Sequence, residues 1–340
     1  MEIGQATREE IFSQHEAWSN ALEEIRANKD VLLSYRFQNY DQIIFTGCGS
    51  TYYLSLSAAA IFQKMTGVSC KAVPGGELLM NPELVYSGKK DLLVAVSRSG
   101  STTETVKAAE QFKANTGGSV ISITNYEDQP VSKASDFSIC IPAGQEDSVA
   151  QTRSFSSMHV AATAMAMLAS GQENLFASMQ ELPVVCEKML HDYRDLAQSL
   201  GENLNYDRFY FLGSGCRFGI GCEANLKMKE MTQTHTEPYY FLEFRHGPKS
   251  MVNENAVVVG LLSKKWRNFE NQVLDEMAEI GGHIVSLAES DALISFNSGV
   301  PDEVCTILYL PVLQMMAFYR SLKKGLNPDK PKNLSTVVVL

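Results

Sequence analysis

Leu92-Leu93-Val94-Ala95-Val96 runs directly into Ser97-Arg98-Ser99-Gly100-Ser101-Thr102-Thr103-Glu104-Thr105. Five apolar residues in a row suit a strand buried on both faces, as in a parallel sheet. Beyond the hydroxyl-rich stretch, Val106-Lys107-Ala108-Ala109-Glu110-Gln111-Phe112 has the apolar spacing of a helix lying on that sheet. The loop therefore sits where a strand ends and a helix begins, the usual ligand crevice of an open α/β sheet. A helix N-terminus presents free backbone N–H groups and the positive end of the helix dipole. Ser97, Ser99, Thr102 and Thr103 add hydroxyls, Gly100 lets the backbone come close, and Arg98 adds positive charge. An ordinary helix cap needs one hydroxyl. This stretch supplies several around a glycine, so it reads as a cradle for a phosphate.

The same alternation extends to both sides. Asp41-Gln42-Ile43-Ile44-Phe45-Thr46 reads as a strand that enters Gly47-Cys48-Gly49-Ser50-Thr51 and then a helix of small residues over 53–65. Residues 69–73, 119–123 and 137–141 read as further strands. Residues 7–36 predict a helix with Ile11, Trp18, Leu22 and Ile25 on one face, and 155–169 a long second one. Strands alternating with helices imply a mostly parallel, doubly wound sheet.

The second half repeats the first. DQIIFTGCG at 41–49 recurs as DRFYFLGSG at 207–215, 166 residues later, and Gly117–Ser122 resembles Gly281–Ser286. Two copies of one α/β domain are expected, with a helical segment over 1–36, a first domain over 37–190 and a second over 191–340. The copies differ in chemistry. At the same offset the hydroxyl loop becomes Ser263-Lys264-Lys265-Trp266-Arg267-Asn268, without its glycine and most of its hydroxyls. One phosphate site per chain is therefore expected, in the first half. Conversely, Ile61-Phe62-Gln63-Lys64 becomes Lys227-Met228-Lys229-Glu230. Lys227 and Glu230 share a helix face, and the first-half counterpart of that helix is apolar. An ionisable residue on a packed helix is a candidate general base. Phe241–Pro248 reads as a charged loop ending in Gly-Pro, where His246 is a candidate acid or base.

Composition narrows the classes. A net charge of −10 with no basic block argues against a nucleic-acid partner. No apolar run approaches the roughly 20 residues of a membrane span, and Met1-Glu2-Ile3-Gly4-Gln5 has no signal-peptide pattern. The cysteines at 48, 70, 140, 186, 216, 222 and 305 form no CxxC pair, which suggests free thiols in a reducing cytoplasm. The six histidines show no ligand spacing, so no metal is expected. The turn at Gly47–Thr51 has Tyr52 where a dinucleotide fingerprint needs a third glycine, which argues against NAD and FAD. No cofactor is expected.

Four motifs together carry a resemblance: Gly47–Thr51, Ser97–Thr102, Lys227–Glu230 and Glu243–Pro248. The chain resembles the sugar-isomerase (SIS) domain family over about residues 30–340, with two such domains in tandem. It is similar to phosphosugar isomerases and deaminases, including the isomerase half of glucosamine-6-phosphate synthase. That resemblance implies a substrate set of Cys48, Gly49, Ser50, Thr51, Ser97, Arg98, Ser99, Thr102, Val149 and Gln151. It also implies Glu230 as the residue moving a proton between C1 and C2, Lys227 beside the substrate hydroxyls, and His246 opening the sugar ring from the neighbouring subunit of a homodimer. Three departures stand out. No glutaminase domain or N-terminal nucleophilic cysteine precedes the first domain, so glutamine-dependent synthesis is not expected. Thr336 falls where the synthase tail carries a lysine. Arg98 replaces a glutamine, as in the stand-alone branch. The expected activity is isomerisation of an amino-sugar 6-phosphate with ammonia release. A fructosamine-6-phosphate deglycase and a non-catalytic sugar-phosphate sensor are the alternatives.

Overall fold

The apolar run at 92–96 is the middle strand of a five-stranded parallel sheet. Its strands are β1 (Gln42–Gly47), β2 (Ser69–Pro74), β3 (Asp91–Val96), β4 (Ser119–Thr124) and β5 (Phe137–Cys140), in the order β2-β1-β3-β4-β5. Every residue of β3 is buried, as its composition requires. The computed structural model describes residues 2–336. Within it the second half forms another parallel sheet from β6 (Arg208–Leu212), β7 (His235–Tyr239), β8 (Ala256–Leu261), β9 (His283–Ala288) and β10 (Ile294–Ser295). Its order, β10-β9-β8-β6-β7, is the first sheet's order read from the other edge. The sequence repeat is thus a repeat of topology. In each copy the strand order reverses between the first and third strands, which opens a crevice at their C-terminal ends.

The chain forms two compact units. One holds the second sheet and comprises the residues up to Phe12, Asp147–Ala150 and Val184–Leu334; the other holds the first sheet, with Ser13–Glu146, Gln151–Pro183 and the tail from Ser335. These units are cut differently from a division at residues 36 and 190, because the first helix, Gln5–Phe12, belongs with the second sheet. There Asp329 ties it down, accepting from the Thr7 N–H at 2.8 Å and the Thr7 hydroxyl at 2.7 Å.

The helix expected over 7–36 is three helices, Gln5–Phe12, Gln14–Ala27 and Lys29–Ser34. At the second break the Asn28 amide donates to the Glu24 carbonyl at 2.9 Å, competing for a helical acceptor. Trp18, fully buried, donates its indole N–H to the Ser156 hydroxyl at 2.8 Å. In the first-sheet unit Leu78, Leu93, Phe112 and Val120 meet in one apolar cluster. In the other unit Tyr210, Phe241, Phe244 and Met277 do the same. Among the described residues no helix is long and apolar enough to cross a membrane.

Candidate active site

The Ser97–Thr102 loop lies at the end of β3, on the crevice between β1 and β3, and leads into the Thr103–Thr116 helix. Ser97 hydroxyl accepts from the Gly100 N–H at 3.1 Å, and Ser99 hydroxyl accepts from the Ser101 N–H and hydroxyl at 3.3 and 3.1 Å. Gly100 has φ +66°, and a Cβ there would stand 2.4 Å from the Gln129 Cβ. Only glycine fits that turn. At the end of β1, Gly49 (φ +57°) starts the Ser50–Thr66 helix. The Thr51 hydroxyl accepts from the Cys48 N–H at 2.9 Å and faces the Cys48 carbonyl at 3.0 Å, so it closes its own turn. Cys48 sulfur lies 3.5 Å from the Thr105 hydroxyl, joining the two turns. Burial holds the Cys48 thiol above its ordinary pKa, so it is a packing group and not a thiolate.

Arg98 is not a free cation on the loop surface. It is buried, its guanidinium lies 3.6 Å from Glu146, and it donates to the Thr336 carbonyl at 2.9 Å. Glu146 in turn accepts from the Thr152 N–H at 2.6 Å, the Thr152 hydroxyl at 2.9 Å and the Ser154 N–H at 3.0 Å. These bonds cap the Arg153–Ala169 helix with a carboxylate, where the helix dipole favours one. Arg98 thus braces the phosphate-type loop against this helix start and the tail. Gln151, in the same unit, turns a buried Oε1 that finds no hydrogen-bond partner among the described residues, and Asn125 Oδ1 does likewise. Val149 belongs to the other unit, where its N–H donates to the Asp329 carbonyl at 2.9 Å.

The Cys216–Thr232 helix follows β6 in the second sheet. On it Glu223, Lys227 and Glu230 fall on one face. Lys227 is buried, with its ammonium 3.3 Å from Glu223 Oε1 and in contact with Glu230. Burial alone would lower the lysine pKa; Glu223 and then Glu230 reverse this and hold it above its ordinary value. The Glu230 side chain keeps 14% of its surface exposed and lines a cavity of about 400 Å³ with Leu226, Lys229, Gln233, Lys332, Asn333 and Leu334. His246 is exposed just beyond the short Phe241–Phe244 helix, with its backbone N–H donating to the Glu243 carbonyl at 2.9 Å. The structure thus gathers Cys48–Thr51, Ser97–Thr102 and Gln151 in one unit, and Val149, Lys227, Glu230 and His246 in the other.

Sequence reasoning missed three carboxylates. Glu223 was legible as the fourth residue before Lys227; Glu146 stands in a loop with no local signal. The third, Glu270, accepts from the Ser263 hydroxyl at 2.9 and 3.0 Å and from its N–H at the crevice of the second sheet. The strand ladder also shifts the expected equivalence by one residue. The N–H of Ser97 meets the Ile123 carbonyl, and the N–H of Leu262, not of Ser263, meets the matching Leu287 carbonyl. An apolar residue and a buried carboxylate therefore stand where the first sheet has hydroxyls, a poor site for an anion.

Comparison with known proteins agrees with this architecture. The chain is similar to the glutamine–fructose-6-phosphate aminotransferase (isomerizing) of Sulfurisphaera tokodaii, with 27% identity over 97% of its residues, and spans 56% of that protein's length. The solved tagatose-6-phosphate ketose/aldose isomerase of Escherichia coli superposes with a TM-score of 0.87 at 25% identity, over 96% of this chain and 95% of that one. The glucosamine-6-phosphate deaminase of Thermotoga maritima superposes with 0.74 at 27% identity, over 94% and 100%. The SIS domain family matches residues 36–168 and 204–295, one segment on each sheet, and the chain belongs to that family.

Proposed function

We propose that the chain is a phosphosugar isomerase that acts on an amino-sugar 6-phosphate and releases ammonia. The observation that carries this reading is the Glu223–Lys227–Glu230 row, two carboxylates and an ammonium on one buried helix face with Glu230 opening to a cavity. A protein that only sensed a sugar phosphate needs an anion cradle and has no use for this buried charge. Activities of the similar aminotransferase, isomerase and deaminase support the same substrate class.

In this reading the hydroxyls and N–H groups of the Ser97–Thr102 loop hold the phosphate, with Cys48–Thr51, Val149 and Gln151 around the sugar. That clamp supplies binding energy remote from the reacting carbons. His246 of a second subunit assists ring opening. Glu230 removes the C2 proton from the open-chain aldose and returns it at C1. With an amine on C2 the product is a C2 imine; water adds to that carbon, and ammonia leaves with the ketose 6-phosphate.

Ammonia release measured across glucosamine, galactosamine and fructosamine 6-phosphates tests the reading. Ammonia from an amino-hexose 6-phosphate is expected. Release of a free amino acid from a fructosamine 6-phosphate alone would instead make it a deglycase, and binding without turnover a sensor. Mixing inactive Glu230→Gln with inactive His246→Ala chains is expected to restore part of the activity. No recovery in confirmed mixed dimers would remove the shared site.

A further inference from the structure

We infer that Glu223 is a positioning residue of the Glu230 site, holding the Lys227 side chain as a buried cation so that Glu230 stays turned to its cavity. The inference rests on the reading of Glu230 as the base. Residues 223, 227 and 230 follow i, i+4, i+7 spacing, so the three side chains stack along one helical stripe. Their depths differ. Glu223 is fully buried, Lys227 is 1% exposed, and the Glu230 side chain reaches 14%. Glu230 lines the cavity and Glu223 does not. The innermost carboxylate is therefore not part of the cavity wall, and the Lys227 ammonium lies 3.3 Å from it.

A buried carboxylate is costly unless something meets its charge, and so is a buried ammonium. One ammonium between two carboxylates leaves one net negative charge in the row, shared by Glu223 and Glu230 through their common partner Lys227. With Glu223 gone, Glu230 would be the remaining carboxylate of the row facing Lys227, and its lone pairs would be drawn into that contact and away from a substrate proton. The first sheet's matching helix shows that the fold does not need this row. At the same offset it has Ser57, Ile61 and Lys64, and Ser57 bonds to His159 at 2.7 Å.

Two measurements decide it. In the first, folding of Glu223→Gln, Lys227→Met and the double variant is compared by urea denaturation. Each single variant should unfold at lower urea and the double should recover part of the loss, because each single change strands a buried charge; additive losses would overturn the pairing. In the second, proton exchange into fructose 6-phosphate is followed by NMR in D₂O. Glu223→Gln should lose up to about 100-fold in rate with KM changed by less than about twofold, the scale of a misplaced catalytic group. Glu223→Asp should recover part of the rate. Unchanged exchange in a folded Glu223→Gln would overturn the positioning role. Should that variant not fold, Glu223→Ser, the residue that the first sheet's matching helix carries at this place, takes over the rate test, and a wild-type rate with wild-type KM overturns the role equally. Sodium borohydride with fructose 6-phosphate should leave Lys227 of the wild type unmodified by mass spectrometry, and an adduct there would contradict the cation. Exchange absent from the wild type would instead sink the reading of Glu230, while the folding comparison would still decide whether Glu223 holds Lys227.

Discussion

The helices Ser50–Thr66 and Cys216–Thr232 are the same element built twice. Each has 17 residues, follows the first strand of its sheet, and starts from a glycine with nearly the same backbone, Gly49 at φ +57° and Gly215 at φ +59°. Both are packed against their sheets. Their buried faces differ in charge: the first holds Ala58, Ile61 and Phe62 beside the neutral Ser57, and the second holds Glu223 and Lys227 beside Ile220 and Met228. The same frame is thus built in the first copy without buried charge at these places. The loops reverse the contrast. The first sheet keeps a glycine and a cluster of hydroxyls at its crevice, and the second places Leu262 and the Glu270 carboxylate there. Burial raises the Glu270 pKa, opposed by its Ser263 bonds.

Breaking the charged helix should give the largest effect. Glu230→Gln keeps size and hydrogen bonding but cannot accept a proton, and exchange at C1 or C2 in D₂O should slow by about 10²–10⁴-fold. Sugar-phosphate binding should hardly change, because the proposed clamp, Ser97–Thr102, belongs to the other unit. Exchange at the wild-type rate would remove Glu230 as the base.

Next comes the neutral counterpart of Glu223. Ser57 pairs with His159, which is fully buried, and burial pushes that imidazole down to about 3. The folded state then binds fewer protons than the unfolded chain between about pH 6.5 and 3. Stability from this residue is complete above the unfolded value and falls as pH drops through that window, by about 1.4 kcal/mol per unit. Urea midpoints measured from pH 7 to 4 should decline, and His159→Gln should flatten the decline. An equal slope in both proteins would mean that His159 is not responsible.

The smallest effect concerns the loops. Calorimetric titration with a sugar 6-phosphate should give one site per chain, and Ser99→Ala should weaken it by roughly 1–3 kcal/mol, the scale of a hydrogen bond to a charged group. Two equivalent sites would mean that the Glu270 crevice also accepts an anion.

Much of this was legible from local pattern. The run at 92–96, the hydroxyls around Gly100 and the 166-residue repeat located both sheets and the turn that follows β3, because burial on two faces demands continuous apolar residues and a tight turn demands glycine. The Lys227–Glu230 pair was visible in its spacing for the same reason, since one helical turn writes contact into three or four residues. The break at Asn28 was not, because a polar side chain within an apolar stripe says little about where a helix stops.

The sequence by itself therefore determined the parallel α/β class, its duplication, and which copy carries hydroxyls and which carries charge. Tertiary structure alone decided that Arg98 is held by Glu146 and the Thr336 carbonyl, 48 and 238 residues away, and that the Gln5–Phe12 helix joins the second sheet. It also decided that Leu262 and not Ser263 takes the place of Ser97. The reason is physical. Spacing within one strand or one helical turn fixes neighbours through backbone geometry, whereas contacts across tens of residues depend on how whole layers pack, and a one-residue slip between repeats leaves every local pattern intact.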